Sequence, residues 1–117
     1  MLDYDDARAF YVGVLGWDLL EDTDLGGGKR WLRVRPPGSD CGILLARAVT
    51  ERQVATVGAQ TGGRVFIFLE TTEFDSEYER LRAAGVRFAR ERTEESWGTV
   101  AVFADLYGNL YDLIQRR

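Results

Sequence analysis

The chain of 117 residues contains no histidine and a single cysteine, Cys41. Without histidine, no side chain has an ordinary pKa near neutrality, so acid–base chemistry would need a carboxylate whose pKa is raised. One cysteine excludes an intrachain disulfide and agrees with a reducing, cytoplasmic location. Cys41 also follows the acidic Asp40 and lacks a histidine partner, which argues against a thiolate nucleophile.

Long apolar runs and an excess of positive charge are also missing. No stretch approaches the roughly 20 apolar residues that span a bilayer, and residues 1–6 lack the basic and apolar regions of a signal peptide. The formal net charge is −4, whereas nucleic-acid binding needs a basic surface. We therefore expect no membrane partner, no nucleic-acid partner and no export. The hydrophobic content of 45% is that of one globular domain.

Residues 100–115 are the most informative segment. Residues 100–103 and 110–114 predict two half-buried strands, and Asp, Gly and Asn within residues 105–109 predict a tight turn between them. Asp112 stands among leucine, tyrosine and isoleucine, where a carboxylate is costly to bury without a partner. This segment therefore predicts a hairpin that carries one unusual acidic side chain.

The same order of elements occurs twice along the chain. Apolar residues at helical spacing predict helices over 5–15 and 74–84, ended by Gly16 and Gly85. Strands are predicted over residues 17–21, 30–34, 42–46, 64–69, 86–90, 99–103 and 110–114. Each half is thus a helix followed by three strands, but only the second half has a strand before its helix. We expect the natural start to lie upstream, because loss of an opening strand would expose a sheet edge.

Two motifs resemble those of the vicinal oxygen chelate superfamily, the glyoxalase, bleomycin resistance and extradiol dioxygenase proteins. Its closing motif is similar to Phe103-Ala-Asp105-Leu-Tyr-Gly108-Asn109-Leu-Tyr-Asp112-Leu113. Its opening helix is similar to residues 5–17, DDARAFYVGVLGW. The resemblance implies an α+β fold in which tandem βαβββ modules form a curved mixed sheet with a concave pocket. It also implies one domain over 1–117, with a first module at 1–48 that lacks its opening strand, a connector at 49–62 and a second module at 63–117.

The resemblance also implies four positions that hold a metal in the metalloenzymes of the superfamily. The first would precede Met1, the second falls at residues 43–45, and the third and fourth are Arg64 and Asp112. Isoleucine and leucine cannot ligate a metal, and the fixed cation of Arg64 would repel one. We therefore predict no metal and no other cofactor.

A different pocket follows from the same positions. The resemblance places Arg64 and Asp112 near each other in the cavity. There they could form a structural ion pair, or Arg64 could hold an anionic or carbonyl group of a ligand. Alternation puts Phe66 and Phe68 on the face of Arg64. Aromatic side chains at Trp31 and Trp97 also suit a pocket wall, although core packing is the alternative for all four aromatic residues.

Three functions remain open from the sequence. The leading hypothesis is a metal-free small-molecule binding protein with an unidentified ligand. The alternatives are a glyoxalase-like or dioxygenase-like enzyme with a non-standard site, and a dimeric assembly module with a vestigial pocket. The resemblance also implies a homodimer, with the connector 49–62 as a lid or dimer contact.

Overall fold

Helices and strands follow the repeated order that the sequence predicts. The computed structural model describes residues 1–117, which form two units, Met1–Val57 and Gly58–Arg117. The first unit contains α1 (Tyr4–Arg8), a π-helical segment (Ala9–Val14), β1 (Asp18–Gly26), β2 (Lys29–Arg35), β3 (Ile43–Leu44) and α2 (Glu51–Ala55). The second unit contains β4 (Val65–Glu70), α3 (Phe74–Ala83), β5 (Phe88–Glu95), β6 (Gly98–Ala104) and β7 (Leu110–Arg116).

The first unit is an antiparallel sheet of order β1-β2-β3 beside its opening helix. Asp3 caps α1 by accepting a hydrogen bond from the Asp6 amide at 2.9 Å. Leu32 and Val34 point to the buried side of β2 and are fully buried, as alternation in a strand requires. The predicted helix over 5–15 is correct in position, but its second half is π-helical.

The second unit is a mixed sheet of order β4-β7-β6-β5, in which only β4 and β7 run parallel. One face packs against α3 through an aromatic core. The Phe103 and Tyr111 rings stack at 5.2 Å, and the Phe88 ring meets that of Tyr78 on α3 at 4.8 Å. The opposite face carries Asp112. The α+β class with a mixed sheet is therefore confirmed.

Four elements differ most from the expected bounds, and the first of them is β1, which extends to Gly26 instead of ending at residue 21. The connector contains α2, whose start is a capping box in which the Thr50 hydroxyl and the Gln53 side chain satisfy each other's backbone amides. β3 is only two residues long. β5 extends to Glu95, because its backbone stays paired with β6 up to Glu95, which is in register with Gly98.

Candidate functional site

The turn between β6 and β7 is built on the buried carboxylate of Asp105. Its Oδ1 accepts hydrogen bonds from the amides of Tyr107, Gly108 and Asn109, each at 2.9 Å. Its Oδ2 accepts one from the Asn109 side-chain amide, also at 2.9 Å. The predicted tight turn is confirmed, and it sets the register in which β7 returns along β6.

Strand register then places Asp112 in the middle of the sheet. Asp112 pairs with Val102 on β6 and with Phe68 on β4, and Val102 in turn pairs with Arg90 on β5. Directly paired residues point to the same face of a sheet. One row across this face therefore reads Phe68, Asp112, Val102 and Arg90.

A cavity of about 290 Å³ opens on this face. Its wall is mostly apolar and is lined by Phe68, Trp97, Asp112, Ile114 and Arg116. Concave, largely apolar sites with few polar groups are typical of small-molecule binding.

Trp97 reaches this cavity from the turn between β5 and β6. The Trp97 carbonyl accepts a hydrogen bond from the Arg117 amide at 3.0 Å, which ties the turn to the end of β7. Next to it, a Cβ on Gly98 would lie 2.1 Å from the carbonyl oxygen of Gln115. Only glycine therefore allows the close approach of these backbones that positions Trp97.

Asp112 has neither a hydrogen bond nor an ion pair within the protein. Partial burial raises the pKa of the Asp112 carboxyl above its ordinary value of 3.8, and the charge of Arg90 only partly opposes this effect. Burial disfavours the charged form of a carboxyl group that lacks donors. The site therefore presents one carboxylate that no other group of the protein neutralises by direct contact.

The two arginines on the face of Asp112, Arg90 and Arg116, are paired with other carboxylates. Arg116 pairs with Glu70 on β4 at 3.1 Å, and Arg90 pairs with Glu95 at 2.8 Å. Both pairs are largely exposed and are weak in water. They nevertheless direct each guanidinium group toward a carboxylate other than Asp112.

The structure brings together three of the residues that the sequence suggested for a pocket, Phe68, Trp97 and Asp112. Arg64 precedes β4 with an exposed side chain, and the ion pair expected between Arg64 and Asp112 does not form. That expectation was wrong because Arg64 lies before the first paired residue of β4, Val65, which is in register with Leu110. Asp112, two residues further along β7, pairs instead with Phe68.

The other two aromatic candidates lie outside the lining of this cavity. The Phe66 ring is 39% exposed and meets the edge of the Tyr111 ring at 6.0 Å. Trp31 belongs to β2 in the first unit, where it is 39% exposed. The sequence did not predict Ile114 and Arg116 as pocket residues. Their spacing of two and four residues from Asp112 nevertheless places all three on one face of a strand.

The residues present do not fit a divalent metal. Asp112 is the one carboxylate that lines the cavity, and no three His, Cys, Asp or Glu side chains cluster closely enough to hold an ion. A site for a divalent metal ion in a protein usually has three or four such ligands.

Comparison with known proteins establishes the family. The model of the Glyoxalase/Bleomycin resistance protein/Dioxygenase superfamily matches residues 2–113, and the chain belongs to that superfamily. A protein of Shewanella frigidimarina (strain NCIMB 400) is 51% identical over 115 residues, which are 97% of this chain and 85% of the relative. The resemblance inferred from the two motifs is therefore confirmed.

Two solved structures share the fold closely. UcmS2 is 32% identical with a TM-score of 0.84, over 97% of this chain and 90% of that one. TnmS3, described as an antibiotic binding protein from Streptomyces sp. CB03234, is 31% identical with a TM-score of 0.76, over 98% of this chain and 88% of that one. None of the helices of the present chain has the length and apolar character needed to cross a membrane.

Proposed function

We propose that this protein binds a small molecule in the cavity of its second unit and does so without a metal. The observation that carries the proposal is the cavity itself, in which an apolar and aromatic wall surrounds one unpaired carboxylate. The similarity to TnmS3, an antibiotic binding protein, supports a small-molecule ligand, and the apolar, aromatic wall of the cavity favours a ligand with an apolar body. Phe68, Trp97 and Asp112 are the residues that we propose to contact it.

Binding of a neutral aromatic probe, 1-naphthalenemethanol, tests the location of the site. Isothermal titration calorimetry gives the dissociation constant without using Trp97 as the reporter, and Trp97→Ala is expected to weaken binding about tenfold, since one aromatic contact is worth about 1.4 kcal/mol. Leu106→Ala is the control, because Leu106 is equally apolar and 39% exposed but does not line the cavity. Equal affinity of all three proteins would contradict the proposed site.

Independence from metal is tested separately. We expect the protein purified without chelator to contain less than stoichiometric Ni, Zn, Fe or Mn, and EDTA treatment to leave probe affinity unchanged. Elemental analysis and a repeat titration provide both measurements. One bound metal ion per chain, lost together with probe binding, would overturn this part of the proposal.

An enzyme is the second candidate function, and the raised pKa of Asp112 favours it. A carboxylate with a raised pKa is the kind of general base that a chain without histidine would use. The cavity offers it no second polar group except the paired Arg116. Conversion of a bound ligand, followed by mass spectrometry and lost in Asp112→Asn, would favour the enzyme over the binding protein.

We further propose a homodimer that resides in the cytoplasm. β4 forms an edge of its sheet and exposes Phe66 and Phe68, and an apolar edge strand is prone to pair with another chain. Cys41 is a free, exposed thiol, which agrees with a reducing compartment. Light scattering during size-exclusion chromatography measures the mass in solution, and a monomer at high protein concentration would exclude the dimer.

A further inference from the structure

We infer that the ligand carries a cationic nitrogen that pairs with Asp112, so that the ligand class is an amine with an aromatic or apolar body. This inference rests on the proposed function and adds the charge of the ligand to it. It differs from the sequence-based hypothesis, in which Arg64 would hold an anionic group.

The Asp112 carboxylate is isolated from the other polar groups of the protein. Its side chain is half-buried in a cavity that Phe68, Trp97 and Ile114 also line, and no donor of the protein reaches it. A ligand that fills this cavity removes the water that solvates Asp112. Loss of that water is costly unless the ligand supplies a hydrogen-bond donor or a positive charge.

No free cation lines the cavity to pair with an anionic ligand. Arg116 is the one basic side chain that lines the cavity, and it pairs with Glu70. Arg64 is exposed outside the lining. An anionic ligand would therefore have to compete for Arg116 while lying beside an unpaired carboxylate, and like charges at close range repel each other.

Two aromatic side chains form part of the cavity wall. Trp97 is 45% exposed at the cavity and Phe68 is 64% exposed. The face of an aromatic ring attracts an organic cation, most strongly in the case of tryptophan. The aromatic wall and the Asp112 carboxylate therefore both favour a positively charged ligand.

Three naphthalene probes of nearly equal shape test the inference at neutral pH. They are 1-naphthylmethylamine, which is protonated, 1-naphthalenemethanol, which is neutral, and 1-naphthoate, which is anionic. We expect the wild-type protein to bind the amine at least about tenfold more tightly than the alcohol, and 1-naphthoate most weakly. Asp112→Asn should lose this preference and bind the amine and the alcohol about equally.

Asp18→Asn is the charge-matched control, because Asp18 is an exposed carboxylate on β1. Its removal changes the net charge by the same amount and should leave the preference for the amine intact. Should Asp112→Asn fail to fold, the wild-type protein still tests the inference, since the ratio of its affinity for the amine to that for the alcohol should fall on acidification. The charged groups on the face of Asp112 are Arg90, Glu95, Arg116 and Glu70. Glu70→Gln and Glu95→Gln therefore identify any contribution from the two other carboxylates among them.

The outcomes separate the inference from the proposed function. Binding of the alcohol without preference for the amine would overturn the inference and leave the proposed function standing. Tighter binding of 1-naphthoate would likewise overturn it. If none of the three probes bound, the proposed cavity site and the inference would both be wrong.

Discussion

Asp112 on β7 lies directly beside Phe68 on the parallel strand β4, and both side chains line the same cavity. The nearest neighbour of the carboxylate on this strand is therefore a phenyl ring, and a phenyl ring offers no hydrogen-bond donor. This pairing explains why burial raises the pKa of Asp112 and why the carboxylate remains available to a ligand.

The charge of Asp112 should lower the stability of the protein without ligand. Because burial raises the pKa of Asp112 in the folded chain, the folded chain binds more protons than the unfolded chain between pH 3.8 and the raised pKa. The contribution of Asp112 to the free energy of unfolding therefore falls as pH rises through this window. We expect Asp112→Asn to be more stable than the wild type at neutral pH, as measured by urea unfolding.

Urea unfolding of the same two proteins at acidic pH supplies the control. The advantage of Asp112→Asn should vanish below pH 3.8, where the wild-type carboxyl is protonated in both states. A variant less stable than the wild type at neutral pH would show that Asp112 has a stabilising partner that the structure does not reveal.

Loss of the Asp105 carboxylate should destabilise the β6–β7 hairpin. Asp105→Ala removes four hydrogen bonds, so that the part-buried amides of the turn lose the acceptors that the carboxylate supplies, which we expect to cost about 2–4 kcal/mol. Asp24→Ala is the matched control, since Asp24 makes one exposed turn hydrogen bond, to the Gly26 amide. Similar urea midpoints for the two variants would contradict the role given to Asp105.

A side chain at Gly98 should disrupt the strand pairing beneath Trp97. In Gly98→Ala the new Cβ would lie 2.1 Å from the Gln115 carbonyl oxygen and 3.0 Å from the Arg116 Cα. Backbone atoms cannot move aside as a flexible side chain can, so we expect a loss of about 3 kcal/mol or more, measured by thermal and urea unfolding.

Gly13→Ala is the control for this substitution. Gly13 lies in the π-helical segment, and a Cβ there would meet no atom within 4 Å. Since alanine loses less conformational freedom on folding than glycine, we expect Gly13→Ala to be neutral or stabilising by up to about 1 kcal/mol. Equal losses in both variants would show that crowding at Gly98 is not the cause.

The Arg30–Asp22 pair should make the first unit sensitive to acid. Two parallel hydrogen bonds join the guanidinium of Arg30 to the Asp22 carboxylate at 2.6 and 3.0 Å, and the Arg30 hydrogen bond is the main cause that lowers the pKa of Asp22. A lowered pKa adds stability above pH 3.8 that is lost as pH falls through the folded-state value.

Arg30→Ala should therefore lower the free energy of unfolding at neutral pH by about 1–3 kcal/mol and flatten its decline in acid. Arg30→Lys should be intermediate, because an ammonium group cannot form both parallel bonds. Arg80→Ala is the control, since the exposed Arg80–Glu77 pair on α3 is worth about 0.5 kcal/mol or less. An acid profile that Arg30→Ala leaves unchanged would remove the pair as a source of acid sensitivity.

Local patterns predicted much of the fold. The turn at residues 105–109 could be predicted because the residue types that favour a tight turn, at Asp105, Gly108 and Asn109, lie within one short segment. The second helix was visible because its apolar spacing and Gly85 are local signals. The π-helical segment was not visible, since its bond from the Leu15 amide to the Phe10 carbonyl leaves no distinctive pattern of side chains.

The candidate site was less predictable, because it depends on pairing between distant strands. Asp112 and Trp97 could be suggested from their local surroundings and from the family motifs. The partner of Asp112 could not, since a shift of register decides whether Arg64 or Phe68 lies beside it. The irregularity between Val65 and Ile67 occurs at that point of the strand pair.

The sequence by itself determined the class of fold, the hairpin that carries Asp112, the lack of histidine for a metal site and the membership of the superfamily. These properties depend on residue types and on spacings within short segments. Only the tertiary structure decided that Asp112 is unpaired and that Arg90 and Arg116 are directed to other carboxylates. The physical reason is that the electrostatics of a carboxylate depend on which side chains the sheet brings within a few ångströms of it, and those side chains come from strands far apart in the chain.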